Sequence, residues 1–546
     1  MLSSKRSEKD DGLDMKMDRH EDVSELKSSD DLLDSNLVAE LDSIEQTPVS
    51  KFVWLCTITC SCAGFLFGYD TGIISAVLVY LGTDLGGVTM GPQQKEAITS
   101  LCSGGAFFGA IAAGLTADRF GRKGGIYVGC FLFTAGALIQ AVAYSFAQMC
   151  VGRLVVGLGV GSAAMIAPLY IAEIAPTKYR GRMIGLNNMS ITGGQVVSYG
   201  IGAGFAYIPN GWRYMVGLGG VPSIILACLL PFCPESPRQL IAHGREDEAA
   251  MVFRRVFKQA TEEQVQNKIR LVKASMAEAE VAAEGKSRRQ LIKELHVNPR
   301  NFRALLVACG LMVISQMSGF NTLMYYSSTL FALVGFSNPT AVGLVVAGTN
   351  FIMAGVNGWA VDPWGRRRIL VSLSWGMSAA LFSVAIAFHW IPVNTATLEL
   401  TQKEISAAAV VVLVFIIFFV LFYSATVGNT AWMSTDFFAQ DVRSMGTMFL
   451  TCSCWGSNVI VSSTFLTQMH SLTPSGTFGF YAAICFFGWV LLVFFYPEVS
   501  GLTIDETSQV FDQPLTKMVK FARERRAERI AANTLVARSQ EMTIGH

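Results

Sequence analysis

The sequence predicts an all-α membrane protein with twelve transmembrane helices in two pseudo-symmetric six-helix halves. Three observations carry that expectation. Of the 546 residues 51% are hydrophobic and only 15% charged, and the mean hydropathy is +0.42, well to the apolar side of a soluble domain. Apolar stretches of about twenty residues recur along the chain, each able to cross roughly 30 Å of hydrocarbon as a helix that satisfies its own backbone. Charged motifs of the first half also return, in the same order, in the second.

Residues 1–50 are polar, with too few large apolar side chains to offset the entropy of ordering, which predicts a disordered tail. No short apolar core with a cleavage site opens the chain, so the first span, starting near Phe52, is expected to act as an uncleaved anchor. Spans are expected near 52–81, 97–117, 125–145, 148–170, 187–209 and 214–233, giving an N-terminal half at 51–233. A second set near 302–335, 340–361, 369–391, 407–435, 445–469 and 476–497 gives a C-terminal half at 302–497. Residues 234–301 combine helical patterning with mixed charge and read as short amphipathic helices under the membrane. Residues 498–546 form a C-terminal tail.

Orientation follows from the loops, because Lys and Arg are retained on the cytoplasmic side. Loops after even-numbered helices carry Arg119, Arg122, Lys123, the 238–301 segment and Arg366 to Arg368, whereas loops after odd-numbered helices hold little beyond Lys95, Arg213 and Lys403. Both termini and the 234–301 segment are therefore expected in the cytoplasm, with the plasma membrane as the expected location.

The duplication is specific. Asp118-Arg119-Phe120-Gly121-Arg122-Lys123 returns as Asp362-Pro363-Trp364-Gly365-Arg366-Arg367. Glu173 precedes Arg180 by seven residues, as Asp436 precedes Arg443, and Pro234-Glu235 returns as Pro497-Glu498. The last two share an offset of 263 residues. Parallel repeats of this size enclose a substrate site between them in alternating-access transporters. Other classes find no support: the net charge of +1 gives no field for nucleic acid, and no nucleophile–base pair marks an enzyme. His243, His389 and His470 lack ligand spacing, so no metal or other cofactor is expected. The twelve cysteines lie in apolar stretches and read as packing residues. The glycine-rich run at 157–161 reads as close helix packing.

Five motifs, in this order and between these helices, resemble the sugar-porter branch of the major facilitator superfamily. They are Gly-Arg-Lys at 121–123, Pro-Glu-Ser-Pro-Arg at 234–238, Gln-Met-Ser-Gly-Phe-Asn at 316–321, Gly-Arg-Arg at 365–367 and Pro-Glu-Val-Ser-Gly-Leu-Thr at 497–503. Within that branch, Phe-Gly-Tyr-Asp-Thr-Gly at 67–72, Thr-Gly-Gly-Gln at 192–195 and Asn-Gly-Trp-Arg at 210–213 are most similar to fungal myo-inositol/proton symporters. The resemblance implies the major facilitator fold, and a carrier that imports myo-inositol with protons. A hexose or other polyol carrier, proton-coupled or facilitative, fits the same motifs. A nutrient sensor of this fold is a further alternative, against which the short tails argue.

Asp70 is the most informative residue, because a carboxylate at membrane depth costs several kcal/mol unless paired or neutralised. The resemblance makes it the proton carrier, with Arg153 of helix four as its switching partner; a static ion pair is the plainer reading. For a polyol, neutral amides match hydroxyls as donors and acceptors without the desolvation cost of a charge. Gln195, Gln316, Asn321, Asn350 and Asn458 align with sugar-contacting positions of the family, as does Asn188, where many sugar carriers have Gln. Trp432 and Trp455 match its ring-packing aromatics, and residues 428–431 match a flexible break in helix ten. Tyr325 and Tyr326 fit an extracellular gate. A cytoplasmic gate is expected from the carboxylates Asp118, Glu173, Glu235, Asp436 and Glu498 pairing with Arg122, Arg180, Arg182, Arg366 and Arg443, above all as Glu173/Arg180 and Asp436/Arg443. Ser315 stands where the family usually has a second Gln, which leaves the choice among inositol, hexoses and other polyols open.

Overall fold

Capping signals set where helices start. Ser50 accepts from Phe52 N and opens α1 (Lys51–Tyr80), Ser145 accepts from Gln148 N and opens α4 (Phe146–Ile174), and Asn298 and Asn338 cap α7 (Pro299–Leu333) and α8 (Pro339–Val361), each with proline at its first position. The computed structural model of the chain describes residues 43–544 except 88, 284–287, 392, 395–398, 401–406, 440, 441, 501 and 503. The other spans are α2 (Pro92–Ala117), α3 (Arg119–Ala141), α6 (Gly211–Phe232), α9 (Arg366–Trp390), α10 (Ala407–Phe437) and α12 (Thr473–Phe495), with α5 (Arg180–Phe205) and α11 (Arg443–Ser471).

Eleven of these helices are long and apolar enough to cross a membrane, and α5 makes the twelfth. Its polarity has a structural cause: Asn187, Thr192, Gln195 and Ser198 are buried against neighbouring helices instead of facing lipid. The helix also starts at Arg180, seven residues before the expected 187, because the stretch Arg180 to Leu186, with two arginines, continues it toward the end of the bundle that carries the 234–301 segment. We call that end the linker end and the opposite one the far end.

Two helices are interrupted and two are packed tightly for a readable reason. In α7 the helix breaks after Met317, where Gly319 adopts φ +86. In α10 it breaks at Thr426 and continues as the 3-10 helix Trp432–Phe437, so the break expected at 428–431 begins slightly earlier. Between α2 and α4, a Cβ at Gly157 or Gly161 would lie 2.2 or 2.1 Å from the carbonyl oxygens of Cys102 and Ala106, which leaves room for glycine alone.

The 234–301 segment forms helices at Pro237–Ala242, Glu246–Val256, Glu262–Ala283 and Arg288–Val297. The last residues assigned to the N-terminal tail are built into this layer. Ile44 is fully buried, Ser50 N donates to Val256 O at 2.8 Å, and Glu45 pairs with Lys268 at 2.9 Å and accepts from Thr177 N. Residues 1–42 lie outside the described ones. After α12 the chain forms the helices Ile504–Val510 and Leu515–Ile544, and Arg303 of α7 donates to the carbonyls of Phe511 and Asp512.

Candidate functional site

Asp70 lies on α1 and Arg153 on α4, and the two meet: Nη1 stands 2.5 Å from Oδ1. Both are buried, at 8% and 1% exposure. Removing one partner from such a pair typically costs about 3–5 kcal/mol, because it strands a buried charge. Arg153 also donates through Nε to the Ile98 carbonyl at 3.1 Å, while Nη2 is buried without a partner. The second Asp70 oxygen accepts from the thiol of Cys102 on α2 at 3.1 Å. Sequence reasoning treated Cys102 as packing and missed this contact. Its neighbour Ser103 donates to Asn458 Oδ1 on α11 at 2.9 Å.

The amides gather into two clusters, and each spans both halves. In the first, Asn350 Nδ2 of α8 donates to Gln195 Oε1 of α5 at 2.7 Å, and Ser424 of α10 donates to Asn350 Oδ1. In the second, Gln316 Oε1 accepts from Asn321 Nδ2 and, at 3.5 Å, from Asn458 Nδ2, while Gln316 Nε2 donates to Cys454 Sγ at 3.3 Å. Ser103 ties this cluster to the N-terminal half. Ser315 meets the Tyr423 hydroxyl at 3.2 Å.

Trp455 is buried in edge contact with Phe67 of α1, ring centroids 5.3 Å apart, and its Nε1 is buried without a partner. Trp432 is half-buried where α10 turns to 3-10 geometry, and Asn188 is half-buried on α5, outside the two amide clusters. One asparagine was not anticipated: Asn357 Nδ2 donates to the Ala425 carbonyl at 2.6 Å, beside the break in α10, and its Oδ1 accepts from Asn429 Nδ2 at 3.4 Å.

Tyr325 and Tyr326 are buried inside the bundle. The Tyr325 hydroxyl stands against Ser103 and Asn458, within the second amide cluster. Tyr326 donates to Ser462 O of α11 at 2.7 Å and stacks on Phe465 at 5.6 Å. Around them the halves are joined at the far end: Ser75 bonds Ser327 and Ser328 at 3.1 and 3.0 Å, and Tyr199 bonds Met324 O and Ser327 at 2.5 and 2.6 Å.

The linker-end charges are arranged differently from expectation. Glu173 pairs with Arg122, not Arg180: Nε and Nη2 reach its two oxygens at 3.0 and 2.8 Å, with both side chains 7% exposed. Arg180 and Arg182 stand exposed at the start of α5. Asp436 pairs with Arg366 at 3.1 Å and with Arg443 at 3.6 Å. Each of these pairs joins helices of one half, so none ties the two halves together. The physical reason is a duplicated turn. Gly121 (φ +79) and Gly365 (φ +89) swing the next arginine onto the carboxylate, and a Cβ at either would lie 2.7 or 2.6 Å from Oε2 of Glu235 or Glu498. Glu235 accepts from Arg122 N and Lys123 N, and Glu498 from Arg367 N and Ser500 N. Lys123 then reaches Cys233 O as Arg367 reaches Tyr496 O, the two acceptors again 263 residues apart. The side chain of Asp118 lies outside the described ones.

The family described as "Sugar (and other) transporter" matches residues 55–511. Myo-inositol transporter 1 of Saccharomyces cerevisiae is 39% identical over 490 residues, covering 88% of this chain and 83% of its own. Myo-inositol transporter 2 of Cryptococcus neoformans var. grubii is 39% identical over 522 residues, covering 94% and 93%. Among solved structures, the partially occluded inward open conformation of the xylose transporter XylE from E. coli matches with a TM-score of 0.68 at 22% identity, covering 83% of this chain and 100% of that one. That likeness is one of fold.

Proposed function

From the premise that the chain belongs to the sugar (and other) transporter family, we propose that it imports myo-inositol together with protons by alternating access, with its linker end in the cytoplasm. The orientation rests on the arginine- and lysine-rich loops at that end. The solute rests on the names carried by relatives of about 40% identity over most of the chain and on the chemistry of the two amide clusters. Each hydroxyl of a cyclic polyol both donates and accepts, and a neutral amide offers one group of each kind.

One observation carries the coupling. Adjacent residues of α2 touch both parts of the site: Cys102 holds the Asp70 carboxylate, and Ser103 holds Asn458 of the amide cluster. A proton on Asp70 cancels the charge that holds Arg153, freeing α1 from α4 and shifting the one turn of α2 that contacts the solute-binding amides. Arg153 keeps its bond to the Ile98 carbonyl on α2 and so remains positioned to recapture Asp70 when the proton leaves to the cytoplasm. Solute and proton then move in one direction because each biases the same helix.

Radiolabelled uptake by reconstituted carrier, at two external pH values with and without an uncoupler, tests this reading. Excess myo-inositol should compete better than glucose or xylose, and the uncoupler should abolish accumulation above the external concentration. Asp70→Asn should lose uphill accumulation while retaining downhill exchange. Accumulation unchanged in that variant refutes the coupling role, and stronger competition by glucose reassigns the solute to the hexoses.

A further inference from the structure

Glu96 takes no part in the site described above, yet it is a carboxylate in α2 that is 3% exposed. A buried carboxylate has to be met by donors, and its donors come from the other half of the molecule. Oε1 accepts from the backbone N–H of Thr467 on α11 at 2.7 Å, and Oε2 from the Thr467 hydroxyl at 2.6 Å. The Leu466 N–H is also directed at it.

Backbone donors in mid-helix are normally spent on the carbonyl four residues earlier. The preceding turn, Ser462-Ser463-Thr464, is rich in hydroxyls that bond back to its own helix. Ser462 Oγ bonds the carbonyls of Asn458 and Val459, and Ser463 Oγ and Thr464 Oγ1 both bond that of Ile460. Back-bonded hydroxyls of this kind weaken and bend helices. The Ser462 carbonyl, the normal acceptor for Leu466 N–H, takes the Tyr326 hydroxyl. On the turn that follows, Thr467 gives its N–H and its hydroxyl to Glu96, so a charge-assisted contact reaches from one half into a helix of the other.

We infer that Glu96 is the latch of the outer side: it holds the two halves together through Thr467 of α11, and each outward opening requires those bonds to be released. It is a positioning residue, acting through α11 and not on the solute. The inference needs the halves to part at this face but does not depend on the solute or on Asp70, so failure of the uptake tests above leaves it standing.

Accessibility reads the latch directly. Thr99→Cys places a reporter one turn inward of Glu96, at a fully buried position of the same helix, and the chain without it gives the background from native cysteines. A membrane-impermeant maleimide added outside should label Thr99→Cys about tenfold faster when Glu96→Ala is added, the shift that about 1.4 kcal/mol lost from the closed state produces. Met189→Cys, on the inner part of α5 against Gly355 of α8, should label correspondingly more slowly from the inner face of inverted vesicles. Glu96→Gln, which keeps an acceptor oxygen, should fall between. Thr467→Val removes only the hydroxyl donor and should raise outer labelling about threefold, which keeps the test available if the Glu96 variants fail to reach the membrane. Misfolding raises labelling from both faces, so opposite signs identify release of the latch. Unchanged outer labelling, or a rise on both faces, would overturn the inference.

Discussion

Two oxygens of one carboxylate are held by two helices at Asp70, and the same economy recurs at Gln195, Asn350 and Gln316, where each amide oxygen already has a partner from another helix. In the proposed function a solute hydroxyl that enters would replace one of those bonds, with the amides as preformed acceptors and donors that exchange partners at small net cost. Removing Asn350 breaks that exchange at both ends, leaving Gln195 Oε1 and the Ser424 hydroxyl unsatisfied. Asn350→Ala should therefore weaken the apparent affinity for solute by about tenfold, the lower part of the roughly 1–3 kcal/mol range for a lost buried partner, with the maximal rate changed by less than about twofold. Concentration-dependent uptake measures both numbers, and an affinity equal to that of the parent would remove Asn350 from the proposed site. At this scale the sequence disclosed which residue types were out of place in apolar helices. It did not disclose their partners. Asp70 with Arg153 was readable because two opposite charges in lipid have to meet, whereas Cys102, a small apolar-looking residue, carried no such signal until α2 was laid against α1.

Turns and helix ends show the same division between legible and hidden. Gly121 and Gly365 were visible as duplicated letters, and Glu235 and Glu498 as another pair, but the sequence suggested Glu173/Arg180 because seven residues separate them. In the structure the left-handed glycine turn brings Arg122 from a different loop, and the short spacing counts for nothing once Arg180 is carried outward at the start of α5. Local spacing decides contacts along one helix; contacts between helices depend on how loops close, which no short window contains. Gly121→Ala and Gly365→Ala should each be strongly destabilising, since a side chain at positive φ costs roughly 1–2 kcal/mol and the new Cβ also collides with a buried carboxylate. Because the turns are copies, thermal denaturation in detergent should show the two variants lowered by similar amounts, with solute affinity of the surviving folded fraction unchanged. A large drop for one and none for the other would mean that the duplicated geometry no longer does the same work in both halves.

For the whole molecule the consequential feature is where the halves touch. The linker-end ion pairs of Glu173 and Asp436 each lie inside one half, so they stiffen a six-helix unit without binding it to its twin. Far-end contacts do cross: the Ser75, Ser327, Ser328 and Tyr199 cluster is a polar seam without charge, cheap to open when water can replace its hydroxyl bonds. The division into halves was legible, because repeated motifs survive in sequence. The seam was not, because serines in apolar helices look alike whether they bond their own helix or a partner more than 250 residues away. If transport requires this seam to part, closing it covalently must stop transport. The hydroxyl oxygens of Ser75 and Ser328 lie 3.0 Å apart, so thiols at both positions fall within reach of a disulfide. In a background where Cys102 and the other native cysteines are retained as controls, oxidised Ser75→Cys/Ser328→Cys carrier should lose uptake and exchange, and a reductant should restore both. Each single variant should be indifferent to oxidant. Undiminished uptake by carrier whose cross-link has been verified by mass spectrometry would mean that the halves do not separate at the far end, and the path of the solute would have to be sought elsewhere in the bundle.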